Sequence, residues 1–276
     1  MMKPMTKKLL KHDTRSLRPK KSLGQNFLMH ARIAERIALA AKLTPDAVVF
    51  EIGPGTGMLT RELLKLAKKV IAVEADKELF ERLQTDFSDE IEKGRLELMH
   101  GDIRTFDIAT LPKGYALVAN IPYYLTGELF RMFLESDNQP SAMTILVQKE
   151  VAERIVARKK KPLDSARGKE SILSLSVKAY GTPKLEFHVP RGAFVPAPKV
   201  DSAVLTIRDI SRKRFASRAE EKLFFALLHA GFAHKRKFVR KNLADAGLPA
   251  GNIPEKARAE DVPLPTWLTL ARLQSS

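Results

Sequence analysis

The chain has 276 residues, 44% apolar and 29% charged, with 48 Lys+Arg against 32 Asp+Glu and a formal net charge of +16. That balance excludes a disordered or wholly membrane-embedded chain, and at roughly 150 residues per domain the length predicts one large domain and one small one. With no cysteine, disulfides, thiolate metal sites and cysteine nucleophiles are excluded too.

Residues 31–43 carry helical periodicity and precede the apolar run Val48-Val49-Phe50-Glu51-Ile52, which has the length of a buried strand. Glycines at 53, 55 and 57 then break the chain before a helical stretch over 58–68. A second buried strand, 70–73, ends at Glu74. A helix over 77–87, strands over 96–99 and 116–119, a helix over 127–134 and a strand over 143–147 follow. Strands separated by helix-length segments predict βαβ units and a parallel sheet. Later strands are expected at 185–189 and 204–207. Residues 158–169, rich in Lys, Arg, Pro and Gly, read as a loop, and 211–214 as a basic linker. Helices over 220–233 and 237–246 complete a small helical unit. The expected organisation is a basic tail (1–21), an α/β domain (22–210) and a helical domain (211–276).

The longest nearly apolar stretch, 223–233, has 11 residues, where a membrane-spanning helix needs about 20. No apolar run follows the basic N-terminal residues, so no secretory signal is expected and a cytoplasmic location is. The charge is uneven. Residues 1–21 hold 8 Lys+Arg and 1 acid, and residues 211–276 hold 13 and 6; the 189 residues between hold 27 and 25. A near-neutral body with two basic ends predicts a catalytic core with grips for a polyanion, nucleic acid above all. His12, His229 and His234 have no carboxylate or cysteine partners at metal-ligand spacing, and no metal is expected.

Glu51-Ile52-Gly53-Pro54-Gly55-Thr56-Gly57 lies at the carboxyl end of the first strand, where open α/β sheets bind ligands. The dinucleotide fingerprint G-x-G-x-x-G fails, because the third glycine is at 57 rather than 58. The spacing instead resembles motif I of class I S-adenosylmethionine-dependent methyltransferases. Glu74, 21 residues after Gly53, ends the second strand, where a carboxylate can accept both ribose hydroxyl hydrogens. Asp102, after the third strand, stands where such folds contact an adenine amine, with Leu98 and Met99 expected near that ring.

Asn120-Ile121-Pro122-Tyr123 follows the next strand and resembles the N-[IL]-P-[YF] motif of amino methyltransferases. An adenine N6 lone pair is delocalised into its ring and is a poor nucleophile. The Asn120 side-chain oxygen and the Ile121 carbonyl can accept its two hydrogens and aim the lone pair at a methyl donor. Pro122 stiffens the turn. Tyr123 offers a stacking face worth roughly 1–3 kcal/mol per base. Since the donor methyl is already activated, positioning supplies most of the rate.

Two further segments, Lys20-Lys21-Ser22-Leu23-Gly24-Gln25-Asn26-Phe27-Leu28 and Phe194-Val195-Pro196-Ala197-Pro198-Lys199-Val200-Asp201-Ser202, complete the pattern. The four motifs in order resemble the rRNA adenine N6,N6-dimethyltransferases. The resemblance implies a Rossmann-like class I methyltransferase fold with a mostly parallel sheet, plus a small C-terminal α-helical domain. It implies S-adenosyl-L-methionine held by Asn26, Leu28, Gly53, Gly55, Glu74, Asp102 and Asn120. Asn120, Ile121, Pro122 and Tyr123 would be catalytic, with Tyr123 and Phe194 as an aromatic pair around a flipped-out adenine. Lys199 would face RNA phosphate or solvent.

Within that family the small C-terminal domain and the spacing resemble the bacterial group, and the resemblance implies dimethylation of two adjacent adenines in the 3′-terminal hairpin loop of 16S rRNA within the 30S ribosomal subunit, with a monomer expected. A macrolide-resistance-type enzyme acting on large-subunit rRNA, a non-catalytic small-subunit assembly factor and a DNA adenine methyltransferase are the alternatives. Two departures stand out. Tyr124 replaces a common Asn, and Lys169 to Ser174 replaces the usual Tyr-Gly-x-Leu-Ser, which puts the geometry at the target-base entrance in question.

Overall fold

The computed structural model describes residues 19–20, 23–156 and 169–275. Of the predicted tail only Pro19 and Lys20 fall within them, and residues 158–168 of the predicted loop lie outside. The strands are β1 (Phe27–Leu28), β2 (Val48–Ile52), β3 (Lys69–Glu74), β4 (Leu96–His100), β5 (Ala116–Asn120), β6 (Ala142–Gln148), β7 (Thr182–Val189), β8 (Phe194–Val195) and β9 (Ser202–Arg208). The helices are α1 (Ala31–Ala40), α2 (Met58–Leu66), α3 (Lys77–Asp86), α4 (Ser88–Glu92), α5 (Thr126–Leu134), α6 (Lys149–Val156), α7 (Ile172–Tyr180), α8 (Arg218–Gly231), α9 (Val239–Asp245) and α10 (Leu264–Ser275).

A seven-stranded sheet runs β4-β3-β2-β5-β6-β9-β7. The first five strands are parallel, and β9 pairs antiparallel with both β6 and β7. Chain order reverses between β2 and β5, so the fold has its switch point, and a ligand crevice, at the carboxyl ends of those two strands. β1 and β8 form a separate two-stranded ladder, Leu28 opposite Phe194.

Side-chain alternation along each strand supplies two cores. Val49, Val70, Ala72 and Val118 face α1 and α2. Phe50, Ile52, Leu117, Ala119, Ile145 and Leu205 face the other way, toward α5 and α7. That second core continues without a break into Phe215, Phe224, Leu227, Leu243 and Trp267 of the C-terminal segment. Tyr180 of α7 joins the two parts: its ring stacks with Phe225 at 5.9 Å and its hydroxyl donates to Glu221 at 2.5 Å.

Several elements differ from the sequence expectation. α1 stops at Ala40 rather than 43, because Lys42 takes a left-handed conformation (φ 50°). α7 is a full helix, started by a capping box in which Ser171 and Ser174 bond each other's backbone N–H. α10 begins next to prolines, which the first helical turn accepts because its N–H groups lack partners anyway.

Candidate active site

The crevice at the switch point is a cleft of about 1070 Å³, a volume that includes space open to solvent. Its wall comes from the 23–28 segment, the glycine loop, the ends of β3 and β5, and residues 101–104 and 120–125. The glycine loop is built for close approach. Gly57 caps α2 at φ 74°, and a Cβ there would lie 2.5 Å from the Phe87 ring, so no larger residue fits. Gly53, at φ 65°, has nothing within 4 Å of where a Cβ would stand, leaving its backbone open to a ligand.

Glu74 is locked in place. One carboxylate oxygen accepts from Gly55 N–H and the other from Asp76 N–H, each at 2.9 Å. Burial pushes its pKa up, and those two N–H groups pull it back. The loop and the strand end therefore fix the carboxylate that sequence reasoning assigns to ribose.

Glu51 is a functional candidate that the sequence reading left unassigned. It is 1% exposed, and neither carboxylate oxygen has a hydrogen-bond partner among the described residues. Burial raises its pKa to about 8; the neighbouring Thr60 hydroxyl lowers it in part and the Glu74 charge raises it. An unpartnered buried carboxylate in a cleft wall calls for a cation or a proton. The signal was in the sequence: a charged residue interrupting the apolar strand Val48–Ile52. Among the described residues, the charged ones of the wall are Glu51, Glu74, Asp102 and Arg104. Three carboxylates against one guanidinium suit a cationic ligand and oppose a pyrophosphate.

The 23–28 segment covers the cleft, and Asn26 and Leu28 both line it. The Asn26 amide donates to Gly24 O at 3.1 Å, and Leu28 packs in the α1–α2 core. Asp76, buried at the start of α3, latches this cover: its two oxygens accept from Lys20 Nζ at 2.8 Å and Gln25 Nε2 at 2.9 Å. Asp76 also caps α3 by accepting from Glu78 N–H. Asp76→Asn keeps a capping oxygen and removes the charge that holds Lys20. Ligand affinity is expected to fall about fivefold by calorimetry, the scale of a part-exposed ion pair, with melting unchanged. Unaltered affinity would show that the cover needs no latch.

Asn120, Ile121, Pro122 and Tyr123 all reach the cleft wall at the end of β5. Tyr123 is half-buried, and its hydroxyl bonds Ser202 Oγ at 2.5 Å. Ser202 closes the second late motif, so two motifs 79 residues apart meet here. Asp102 lines the wall with its carboxylate gripped by Arg104, whose guanidinium and N–H hold its pKa down. Leu98 and Met99 do not line the cleft; Leu79 and Ile103 take that place.

A family model for ribosomal RNA adenine dimethylase matches residues 16–272. The chain belongs to that family. A ribosomal RNA small subunit methyltransferase A from Dehalococcoides mccartyi is 38% identical over 268 residues, covering 92% of this chain and 88% of the relative. Among solved structures, a dimethyladenosine transferase from Plasmodium falciparum superposes with TM-score 0.71 at 25% identity, covering 88% of this chain and 95% of that one. The 23S rRNA methyltransferase ErmE gives 0.70 at 27%, covering 91% and 100%.

One residue expected at the target base and the two departures from the family pattern can now be placed. Phe194 is 2% exposed, packed in the core with Leu28 and Val189, and is not among the residues lining the cleft. Its pairing through the β1–β8 ladder draws it inward. Tyr124 is 60% exposed at the cleft rim. Its ring lies 3.0 Å from where a Gly24 Cβ would stand. The Lys169 to Ser174 departure does not touch the cleft. Lys169 pairs with Glu260, and Glu170 N–H donates to Glu260 O at 2.8 Å, tying α7 to the C-terminal segment.

Proposed function

We propose that this dimethylase transfers methyl groups from S-adenosyl-L-methionine to the N6 amines of two adjacent adenines in the 3′-terminal hairpin loop of 16S rRNA, within the 30S subunit. The observation that carries the reading is the shared cleft. The Asn120–Tyr123 segment, residues 53–56 of the glycine loop and Glu74 line one crevice at the topological switch point.

The residues fit a cationic nucleoside. Glu74 takes the ribose hydroxyls, Asp102 an adenine amine, and Glu51 the ammonium of the amino-acid tail, with Asn26, Leu28 and the Gly53 and Gly55 backbone closing around them. When bound, the donor supplies a methyl on a positively charged sulfur, an activated electrophile. Asn120 and the Ile121 carbonyl accept the N6 hydrogens and turn the lone pair out of conjugation, while Pro122 holds the turn. Tyr123, fixed by Ser202, stacks on the target base. After transfer the nitrogen is cationic and acidic, so solvent can take its proton without a dedicated base. With Phe194 packed inward, Tyr123 supplies the base-stacking face in this conformation, and Phe194 holds the β1 cover against the sheet. The two transfers need release of the demethylated product between them, which a latched rather than covalently fixed cover permits.

The helical 211–276 segment and the basic N-terminal tail grip rRNA phosphates. No described helix is long and apolar enough to cross a membrane. A cytoplasmic monomer is the form proposed. The 38% identity to a ribosomal RNA small subunit methyltransferase A over 92% of this chain supports the small subunit. Offering labelled donor with unmethylated small and large subunits side by side tests this. Label in the small subunit alone is expected; label confined to the large subunit would move the target there.

A further inference from the structure

Phe238 sits in an unusual place for a large apolar side chain. It is 45% exposed, at the end of the turn joining α8 to α9. Lys235, Arg236 and Lys237 precede it and Arg240 and Lys241 follow it, all exposed. Two of these cations have partners: Lys237 pairs with Asp245 at 3.2 Å, and Arg240 donates to Ile253 O at 3.2 Å.

The backbone that carries the ring is rigid. Buried Asn242 donates from Nδ2 to Gly231 O at 2.7 Å and to His234 O at 3.1 Å, holding the first half of the turn. Lys237 N–H donates to His234 O, and Phe238 O accepts from the N–H groups of Lys241 and Asn242. The next residue, Val239, is fully buried and donates its N–H to Ala257 O at 2.9 Å. Phe238 is also the N-cap of α9, at φ −66° and ψ 144°, and makes no side-chain cap. Ser, Thr, Asp or Asn would supply a hydrogen bond there. Phe forgoes it and leaves an aromatic face in water.

A fixed aromatic ring bordered by cations matches the chemistry of an unpaired nucleotide: a π-face for the base and charges for the flanking phosphates. We propose that Phe238 is a stacking platform for an unpaired rRNA base, outside the methyl-transfer cleft. The surrounding cations hold the phosphates on either side. This deepens the rRNA reading above and rests on it.

The two kinds of contact separate experimentally, because phosphate contacts release counterions and stacking does not. The full-length protein is titrated with unmethylated small subunits over a range of salt. Phe238→Thr introduces a good cap and removes the ring. It is expected to bind about tenfold more weakly at every salt concentration, with the slope of log K against log salt unchanged and melting no lower. Phe238→Trp restores binding. Replacing Lys235, Arg236 and Lys237 by Ala instead flattens the slope by about two. Phe238→Thr binding within twofold of the unaltered protein would overturn the proposal, as would a loss that Trp does not restore and that comes with lowered melting. Absence of salt-dependent binding by the unaltered protein would be a failure of the rRNA reading itself.

Discussion

Asn120→Ala is expected to reduce methyl transfer by about 10²–10³-fold, the scale seen when one aligned polar group is removed from a developing charge, while small-subunit binding stays within a few-fold. Asn120 ends β5 in the cleft wall, and in the proposed mechanism its side-chain oxygen accepts from the N6 amine and turns the lone pair toward the methyl. Ala leaves the strand, the Pro122 turn and the Tyr123–Ser202 bond in place. The proposed phosphate grip lies elsewhere on the chain. Single-turnover transfer measured beside equilibrium binding checks this. Parallel loss of both would mean that Asn120 organises the RNA surface rather than the chemistry.

The second large effect is expected at Glu51. Its carboxyl is raised to about 8 by burial, so below that pH the free protein holds it protonated. A bound ammonium favours the carboxylate, so binding expels the proton. Donor affinity therefore rises with pH up to about 8 and flattens above it. Glu51→Gln removes the charge and is expected to weaken binding by roughly 10–100-fold, the equivalent of a charge-assisted hydrogen bond of about 1.5–3 kcal/mol. It also abolishes the pH dependence. Calorimetry in buffers of different ionisation enthalpy reads the proton release directly. The same shift acts on folding. An acid whose folded pKa is raised loses stability as pH climbs from its unfolded value of 4.5 through 8. Glu51→Gln is thus expected to melt higher relative to the unaltered protein at alkaline pH. Donor affinity that is flat from pH 6 to 9 in the unaltered protein would remove Glu51 from the site.

How much of this was legible in the sequence depended on range. Short apolar runs and the three glycines marked β2, β3 and the loop between β2 and α2, because strand burial and left-handed turns are local demands. α7 was not legible: Ile172, Leu173, Leu175 and Val177 suit a two-residue period as well as a helical one, and tertiary packing between α5, α6 and α8 decided. The β1–β8 ladder has two residues per strand, too few to leave a pattern. Glu74 and Asn120 could be placed because each ends a readable strand. Asp76 could not, since its partners Lys20 and Gln25 lie 56 and 51 residues away. Phe194 could be located from its motif, but its strand pairing with Leu28 and its burial in the core could not.

The most direct test of the account is the chemical identity of the product. Small subunits lacking the modification are incubated with the protein and labelled S-adenosylmethionine, digested to nucleosides and resolved by mass. The expected product is N6,N6-dimethyladenosine at two adjacent positions, four methyl groups per subunit in all. Tight, salt-sensitive binding with no methyl incorporated would contradict it and leave a ribosome-binding factor whose cleft no longer carries out transfer.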